Sequence, residues 1–559
     1  MRPSVLATAL ISLVAMISEA TAQQGRPSTV AGRSTVYAPH GAIGTSQPLA
    51  SAAGLAVLQR GGNAVDAAVA AAAVLNLVEP HMTGIGGDMF AILWSADEAR
   101  LVGLNASGRS GSLMTREELR RRGRTSVPIH GAEPITVPGA LSGWAALLER
   151  YGTVTLAEAL GPAIMLAEEG FPVTPIIARQ WAMEVEKLER DEGARDTYLI
   201  QGERAPRPGE WFRNPDFAAT LRMIAERGPQ TLYGGELGQR IVGRVQELGG
   251  FLTLEDLENH TPVWVDPLSV DFKGYRVYEL PPNGQGIAAL EMLRILEPYD
   301  LAAMGHNSAG YLHHLIEVKK LAFADLAGWV GDPEHMTVSP EDLLSDEFIA
   351  SRRALIDLGR AAERVEPGAA ATSSETIYLS AADRHGNMIS FINSIYWEFG
   401  SGVVVPGTGF ALQNRGAGFT LEPGFANTVG PGKRPFHTII PAFVTRPAAG
   451  GGEQPWLAFG VMGGSIQPQG HVQVLLNLLL FDMDLQQAID APRFRHLAGL
   501  EVALEAPIGD DVRRALEAMG HVIVPDGLVS FGGSQAVMRL ERGWAAGSDP
   551  RKDGMAIGH

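Results

Sequence analysis

The chain has 559 residues, enough for one large core or two ordinary domains, and its 45% apolar and 19% charged content is that of a globular protein. A formal charge of −17 excludes nucleic acid and anionic membrane as natural partners, since both demand a concentrated basic surface. With no cysteine, disulfide scaffolds and thiol chemistry are excluded too. The first residues, Met1-Arg2 and then an apolar run from Val5 to Ile17 closed by Ala20-Thr-Ala22, read as a secretory signal peptide over 1–22. That implies a bacterial periplasmic or secreted protein, with no membrane contact once the leader is removed.

An alanine-rich helical pair follows over residues 47–80, with Gly61-Gly62 closing the first helix and Asn63 capping the second. Gly84-Ile-Gly-Gly87-Asp88 then turns into an apolar strand, Met89 to Trp94. It opens a strand, not a helix, so it is not a dinucleotide fingerprint. From about 113 to 350 the 3.6-residue period predicts mostly helix, as in Ala140–Arg150 and Ala288–Leu296. The last third alternates like sheet, with strands expected at 376–382, 388–395, 402–405, 409–413, 456–461 and 534–540, and a surface loop at Arg446–Pro455. Helices early and sheet late predict a layered α+β fold in one interdependent unit. The 14 histidines contain no His-Glu-x-x-His pattern, and the adjacent His313-His314 cannot share one helix face, so neither a metal nor a cofactor is expected.

Thr376 is the most informative residue. It follows a polar run, Ala369 to Glu375, and heads a strand that turns at Asp383-Arg-His-Gly-Asn387 and returns through Met388–Ser394. Locally this is an ordinary hairpin. Its company along the chain changes the reading. Gly61-Gly-Asn-Ala-Val-Asp-Ala-Ala, Glu79-Pro-His, Gly84-Ile-Gly-Gly87, Val137-Pro-Gly139, Ala322-Phe-Ala-Asp325, Gly331-Asp-Pro333, Lys433-Arg-Pro435, Gly463-Gly464-Ser465, Ala491-Pro-Arg-Phe494 and Ser548-Asp-Pro-Arg551 together resemble the γ-glutamyltranspeptidase family, in order, across nearly the whole chain.

The resemblance implies an N-terminal-nucleophile hydrolase, a four-layer αββα sandwich made as a proenzyme. Self-cleavage would fall between Glu375 and Thr376, giving a large subunit (23–375) and a small one (376–559) that stay associated. Thr376 would be the nucleophile, and its freed amine the base. That division of labour is chemically sound: a hydroxyl needs a base at hydrogen-bond range, and an α-amine with a pKa of roughly 7.7–8.0 supplies one. Gly463 and Gly464 would form the oxyanion hole, and Ser394 would stand where the family has a supporting threonine hydroxyl.

The chain departs from the family pattern in the substrate pocket. The family's carboxylate-binding arginine is replaced by Asn105-Ala-Ser-Gly108, with Arg109 displaced by three places; its ammonium-binding aspartate aligns with Gly418. An asparagine becomes Tyr396, tandem serines become His437-Thr438, and the lid segment, here Phe419–Pro431, is shortened. Arg109 and Arg415 are the candidates for holding a substrate carboxylate, with Tyr396, His437 and Thr438 lining the pocket. These features resemble the branch with cephalosporin-acylase-like and oxamate-amidohydrolase-like members. The leading reading is a γ-glutamyltransferase-like amidohydrolase or acyltransferase that cleaves γ-glutamyl amides such as glutathione through an acyl-enzyme on Thr376; the alternatives are a non-glutamyl small-amide hydrolase or acylase, and an unprocessed scaffold or binding protein.

Overall fold

The computed structural model describes residues 32–365, 376–528 and 530–559. The expected leader (1–22) and the residue before the proposed cut, Glu375, lie outside them. From Ser34 onward the chain forms one compact unit.

Two seven-stranded sheets carry the fold. The first runs, in spatial order, Val36–Ala38, Trp544–Ser548, Gly533–Arg539, Glu453–Met462, Ala442–Pro447, Tyr275–Glu279 and Leu268–Phe272. The second runs Met555–Gly558, Ala42–Thr45, Ile377–Ala382, Met388–Ser394, Asp88–Ser95, Arg100–Ala106 and Val263–Val265. Every pairing in both is antiparallel.

Strand alternation sorts the side chains into layers. Phe90, Ile92, Trp94, Tyr378, Met388 and Ile392 face Phe443, Ala458, Met462 and Val537 of the other sheet. The opposite parity, Met89, Ala91, Leu379, Ala381 and Phe391, packs on the helices Pro48–Gln59, Ala64–Val78 and Ala140–Tyr151. The far face of the first sheet is covered by Gly286–Leu296, Ala309–Trp329 and Ile466–Leu480. This is the αββα order.

The helical pair forms as expected. Asn63 caps the second helix through the amides of Val65 and Asp66, and Asp66 returns a bond to the Asn63 amide. Two expectations fail. Residues 402–405 and 409–413 are not strands: Gly400, Gly402, Gly407 and Gly409 all take positive φ, which bends the backbone out of extension, and only a single bridge joins Val404 to Ala411. The middle of the chain is mostly helix, as expected, with five short strands among the helices, at 171–172, 211–212, 263–265, 268–272 and 275–279. Each has at most five residues, too short a run to stand out from the helical period around it. The expected surface loop at 446–455 shrinks to a tight turn between Ala442–Pro447 and Glu453–Met462.

Candidate active site

The site forms at one end of the second sheet. Ile377 pairs with Asn393, Ser394 with Asp88, and Met89 with Ala106. Thr376, Ser394, Asp88 and Ser107 therefore form a row across four adjacent strand ends, and parity turns the first three toward the space between the sheets. All four are buried.

Within that row the Thr376 hydroxyl donates to Ser394 Oγ at 3.2 Å. The same oxygen receives the Tyr396 amide at 2.9 Å and Arg415 Nη2 at 3.1 Å. Arg415 also donates through Nη1 to Thr438 Oγ1 at 3.0 Å, and its guanidinium lies 4.2 Å from the centre of the Tyr396 ring. Tyr396 holds that ring in place with φ at 81°, a left-handed conformation that costs an aromatic residue of the order of 1–3 kcal/mol. Burial lowers the Arg415 pKa to about 10, which leaves it cationic at neutral pH.

The Gly463-Gly464 turn belongs to the same site. A glutamine amide, Gln285 Nε2, donates both to the Thr438 carbonyl at 2.6 Å and to the Gly464 carbonyl at 2.9 Å. The strand leading into the turn crosses Thr376's own strand closely: a Cβ on Gly460 would stand 2.5 Å from the Tyr378 ring. Gly463 and Gly464 take φ of 122° and 67°, which L side chains disfavour. Among the described residues neither amide N–H is engaged in a hydrogen bond. Unengaged amides in a fixed turn are what stabilising a developing oxyanion requires.

Sequence reasoning missed Asp88, which passed as the end of a glycine turn. Its Oδ1 accepts from the Gly108 amide (2.9 Å), the Gly139 amide (3.1 Å) and Gln413 Nε2 (3.0 Å), while Oδ2 accepts from His437 Nε2 (2.7 Å). Burial opposes its charge, but the His437 bond and the nearby Arg415 charge outweigh that and hold the carboxyl below its usual range. Burial and Arg415 push His437 the other way, toward the neutral imidazole, whose Nδ1 sits 3.0 Å from Asn283 Nδ2 and 2.8 Å from the Pro435 carbonyl. Asp88 thus fixes the segments that carry Arg415 and Thr438. Only the two-residue spacing from Phe90 in sequence hinted at its inward orientation.

Arg109 is differently placed. It is one-third exposed and already paired with Asp332 (3.3 Å) and Glu334 (2.7 Å), with a further bond to the Gly432 carbonyl. A Cβ on Gly418 would stand 3.2 Å from the Phe436 carbonyl oxygen and 3.9 Å from the Tyr396 hydroxyl, so the chain runs close to its neighbours there. Elsewhere, His313, Glu317 and His521 bring ligand atoms within 4.8 Å of one another. The Lys320 ammonium, 2.7 Å from Glu317, already supplies the positive charge there and opposes a cation.

The gamma-glutamyltranspeptidase family model matches residues 50–559. The chain belongs to that family. It is 38% identical over 533 residues to the glutathione hydrolase-like YwrD proenzyme of Bacillus subtilis, covering 92% of this chain and 99% of that one. It is 35% identical to the oxamate amidohydrolase proenzyme of Klebsiella pneumoniae, over 93% of this chain and 98% of the relative. Among solved structures, the cephalosporin acylase of Bacillus halodurans superposes with a TM-score of 0.89 at 43% identity, covering 96% of this chain and 99% of that one. The family's enzymes are hydrolases made as proenzymes, and the fold is the α+β sandwich of N-terminal-nucleophile hydrolases. Among the described residues no helix is long and apolar enough to cross a membrane.

Proposed function

We propose that this protein is an exported, self-processing amide hydrolase whose nucleophile is Thr376, and that its acyl substrate is not a glutamyl group. The observation that carries the first part is the 3.2 Å contact between the Thr376 and Ser394 hydroxyls at the head of a strand held on both sides. Cleavage between Glu375 and Thr376 would turn the Thr376 nitrogen from an amide into an amine. That amine takes the hydroxyl proton as Oγ attacks the substrate carbonyl. The tetrahedral oxyanion is met by the Gly463 and Gly464 amides. The intermediate collapses as the amine passes its proton to the leaving nitrogen, the C–N bond breaks, and an ester on Thr376 remains. Water, activated by the same amine, then releases the acid and regenerates the hydroxyl.

The second part is supported by Gly418, which offers no carboxylate to a substrate α-ammonium, and by relatives named as an acylase and an oxamate amidohydrolase. A glutamyl substrate is the second reading, favoured by the relatives named glutathione hydrolase, such as that of Escherichia coli at 30% identity. Denaturing mass spectrometry of wild type and Thr376→Ala tests the nucleophile: fragments starting at Gln23 and Thr376 in the first and a whole chain in the second are expected. A wild-type chain that stays whole refutes it. Turnover of γ-glutamyl-p-nitroanilide by the same sample decides between the two acyl classes.

A further inference from the structure

We infer that Gln285 is a positioning residue for the oxyanion step: the two hydrogens of its side-chain amide tie the Gly463-Gly464 turn to the Thr438 segment of the pocket, and so aim the turn's unengaged amides at the carbonyl under attack. This rests on the threonine-hydrolase reading above.

Gln285 is 1% exposed and stands at the N-cap of the helix Gly286–Leu296, yet its side chain makes no cap bond. It turns the other way. Main-chain bonds seat it: the Gln285 amide donates to the His437 carbonyl at 3.1 Å, and the His437 amide donates to the Asn283 carbonyl at 2.9 Å. Gly286 lets the chain lie close at this point, since a Cβ there would stand 2.8 Å from Glu279 Cβ. Gln285 Nε2 then donates to the Thr438 carbonyl at 2.6 Å and to the Gly464 carbonyl at 2.9 Å. Both partners can only accept, so the nitrogen must face them, and both of its hydrogens are spent.

A glycine pair makes a poor oxyanion hole unless something outside it fixes its direction. Neither residue has a side chain to restrict φ and ψ, and a donor that wanders loses the preorganisation on which its effect depends. Here the hold is on the Gly464 carbonyl, which takes Gln285 Nε2 from one segment and the Gln467 amide, at 3.1 Å, from the helix that the turn opens. Arg495 Nη2 secures the next residue through Ser465 Oγ at 3.3 Å. Those two bonds attach the turn to its own surroundings. Gln285 reaches across to the segment whose Thr438 hydroxyl takes Arg415 Nη1 at 3.0 Å. The oxyanion donors and the pocket wall are therefore set relative to each other through one nitrogen atom.

Two substitutions separate this role from space filling. Gln285→Glu keeps the shape, but when ionised it brings a carboxylate against two carbonyl oxygens, and when protonated it has one hydrogen for the two. Burial among acceptors disfavours the charge and raises its pKa from the usual value of about 4.3 toward neutrality. Gln285→Met removes both hydrogens at similar volume and has nothing to titrate. Self-cleavage is first run to completion and checked by denaturing mass spectrometry. Each variant is then compared with wild type on p-nitrophenyl acetate and on γ-glutamyl-, glutaryl- and acetyl-p-nitroanilide, using the substrate that wild type turns over fastest.

In Gln285→Met, kcat should fall about 10- to 100-fold with KM within threefold, since the donors are misaimed rather than lost. The rate of Gln285→Glu relative to wild type should drop at least tenfold between pH 6 and 8.5, while that of Gln285→Met stays level. Gln285→Asn, whose amide falls one carbon short, carries the same expectation as Gln285→Met and replaces it if the methionine variant does not fold. A kcat within threefold of wild type in these uncharged variants, a loss carried by KM alone, or a Gln285→Glu ratio level with pH overturns the positioning role and leaves the threonine reading intact. Wild type no faster than Thr376→Ala on every substrate removes both.

Discussion

Ser394→Ala takes away the oxygen on which the catalytic row converges. A hydroxyl oxygen has two acceptor sites, yet three donors aim at this one: the Thr376 hydroxyl, the Tyr396 amide and Arg415 Nη2. The alanine leaves each of them without that acceptor, inside a region closed to solvent. One neutral hydrogen bond to the nucleophile is worth about 1 kcal/mol, and a buried charged donor robbed of its partner costs about 1.5–3 kcal/mol. These terms share one atom and do not add fully, so a loss of roughly 2–3 kcal/mol in orienting Thr376 and Arg415 is expected, or about 30- to 150-fold in rate. Denaturing mass spectrometry, following the growth of the Thr376-headed fragment after rapid purification, reads the effect on self-cleavage; kcat/KM of processed enzyme reads it on turnover. Ser394→Thr keeps the hydroxyl and should stay within a few-fold of wild type in both. Equal rates for Ser394→Ala and wild type would show that Thr376 needs no hydroxyl partner, and the row would lose its catalytic meaning.

Other expectations are equally open to measurement. Gly463→Ala would set a Cβ 2.8 Å from Ile466 Cγ2 and 3.0 Å from the Gly532 Cα at a φ of 122°; kcat should fall 10²- to 10³-fold, as for the loss of one oxyanion donor, with KM changing much less. Because the freed amine must be unprotonated to act as base, kcat/KM should climb tenfold per pH unit and level off above about pH 8; a flat profile between pH 6 and 9 would exclude the amine. Burial pushes Lys319 down to about 7 from 10.5, so between those pH values the unfolded chain holds a proton that the folded chain has shed. Stability should therefore rise with pH across that window, and urea midpoints at pH 7 and 9.5 should differ less in Lys319→Met than in wild type.

The elements that sequence reasoning recovered are those whose pattern is written in residues close together in the chain. The alanine helices show it: Asn63 and Asp66 form a cap from residues three apart, and burial on every face demands small side chains. The hairpin Ile377–Ser394 shows it too, since alternation and the Asp383–Asn387 turn fix its register locally. What escaped depends on distant residues. Asp88 gathers donors from Gly108, Gly139, Gln413 and His437, four segments with no shared local signal. The sequence names both Arg109 and Arg415, but what sets them apart likewise depends on distant residues. Both are arginines beside glycine in sequence, and only the fold pairs one with two acids while closing hydroxyls and an aromatic ring around the other. The false strands at 402–413 failed for the opposite reason: the valines there are core residues of a glycine-bent loop, and apolar character alone does not report backbone direction.

On the proposed reading, in which the chain is cut before Thr376, the placement of that residue lets the site survive the cut. The residue stands one position ahead of Ile377, where pairing with Asn393 begins, and the strand it heads lies between Ala42–Thr45 and Met388–Ser394 rather than at an edge. Among the described residues, the ladder of that strand begins at Ile377, after the peptide bond that would be cut. The side-chain contacts of Thr376, Ser394, Arg415 and Thr438 already exist in the chain described here, so cleavage has to alter the chemistry of one nitrogen and need not rebuild the array. Thr376, Ser394 and Asp88 are fixed by strand register, which a substitution on a loop leaves untouched. Arg415, Gly418, His437 and Thr438 ride on the segments between strands. On the proposed reading, acyl specificity can therefore change through those loops while the threonine chemistry stays constant.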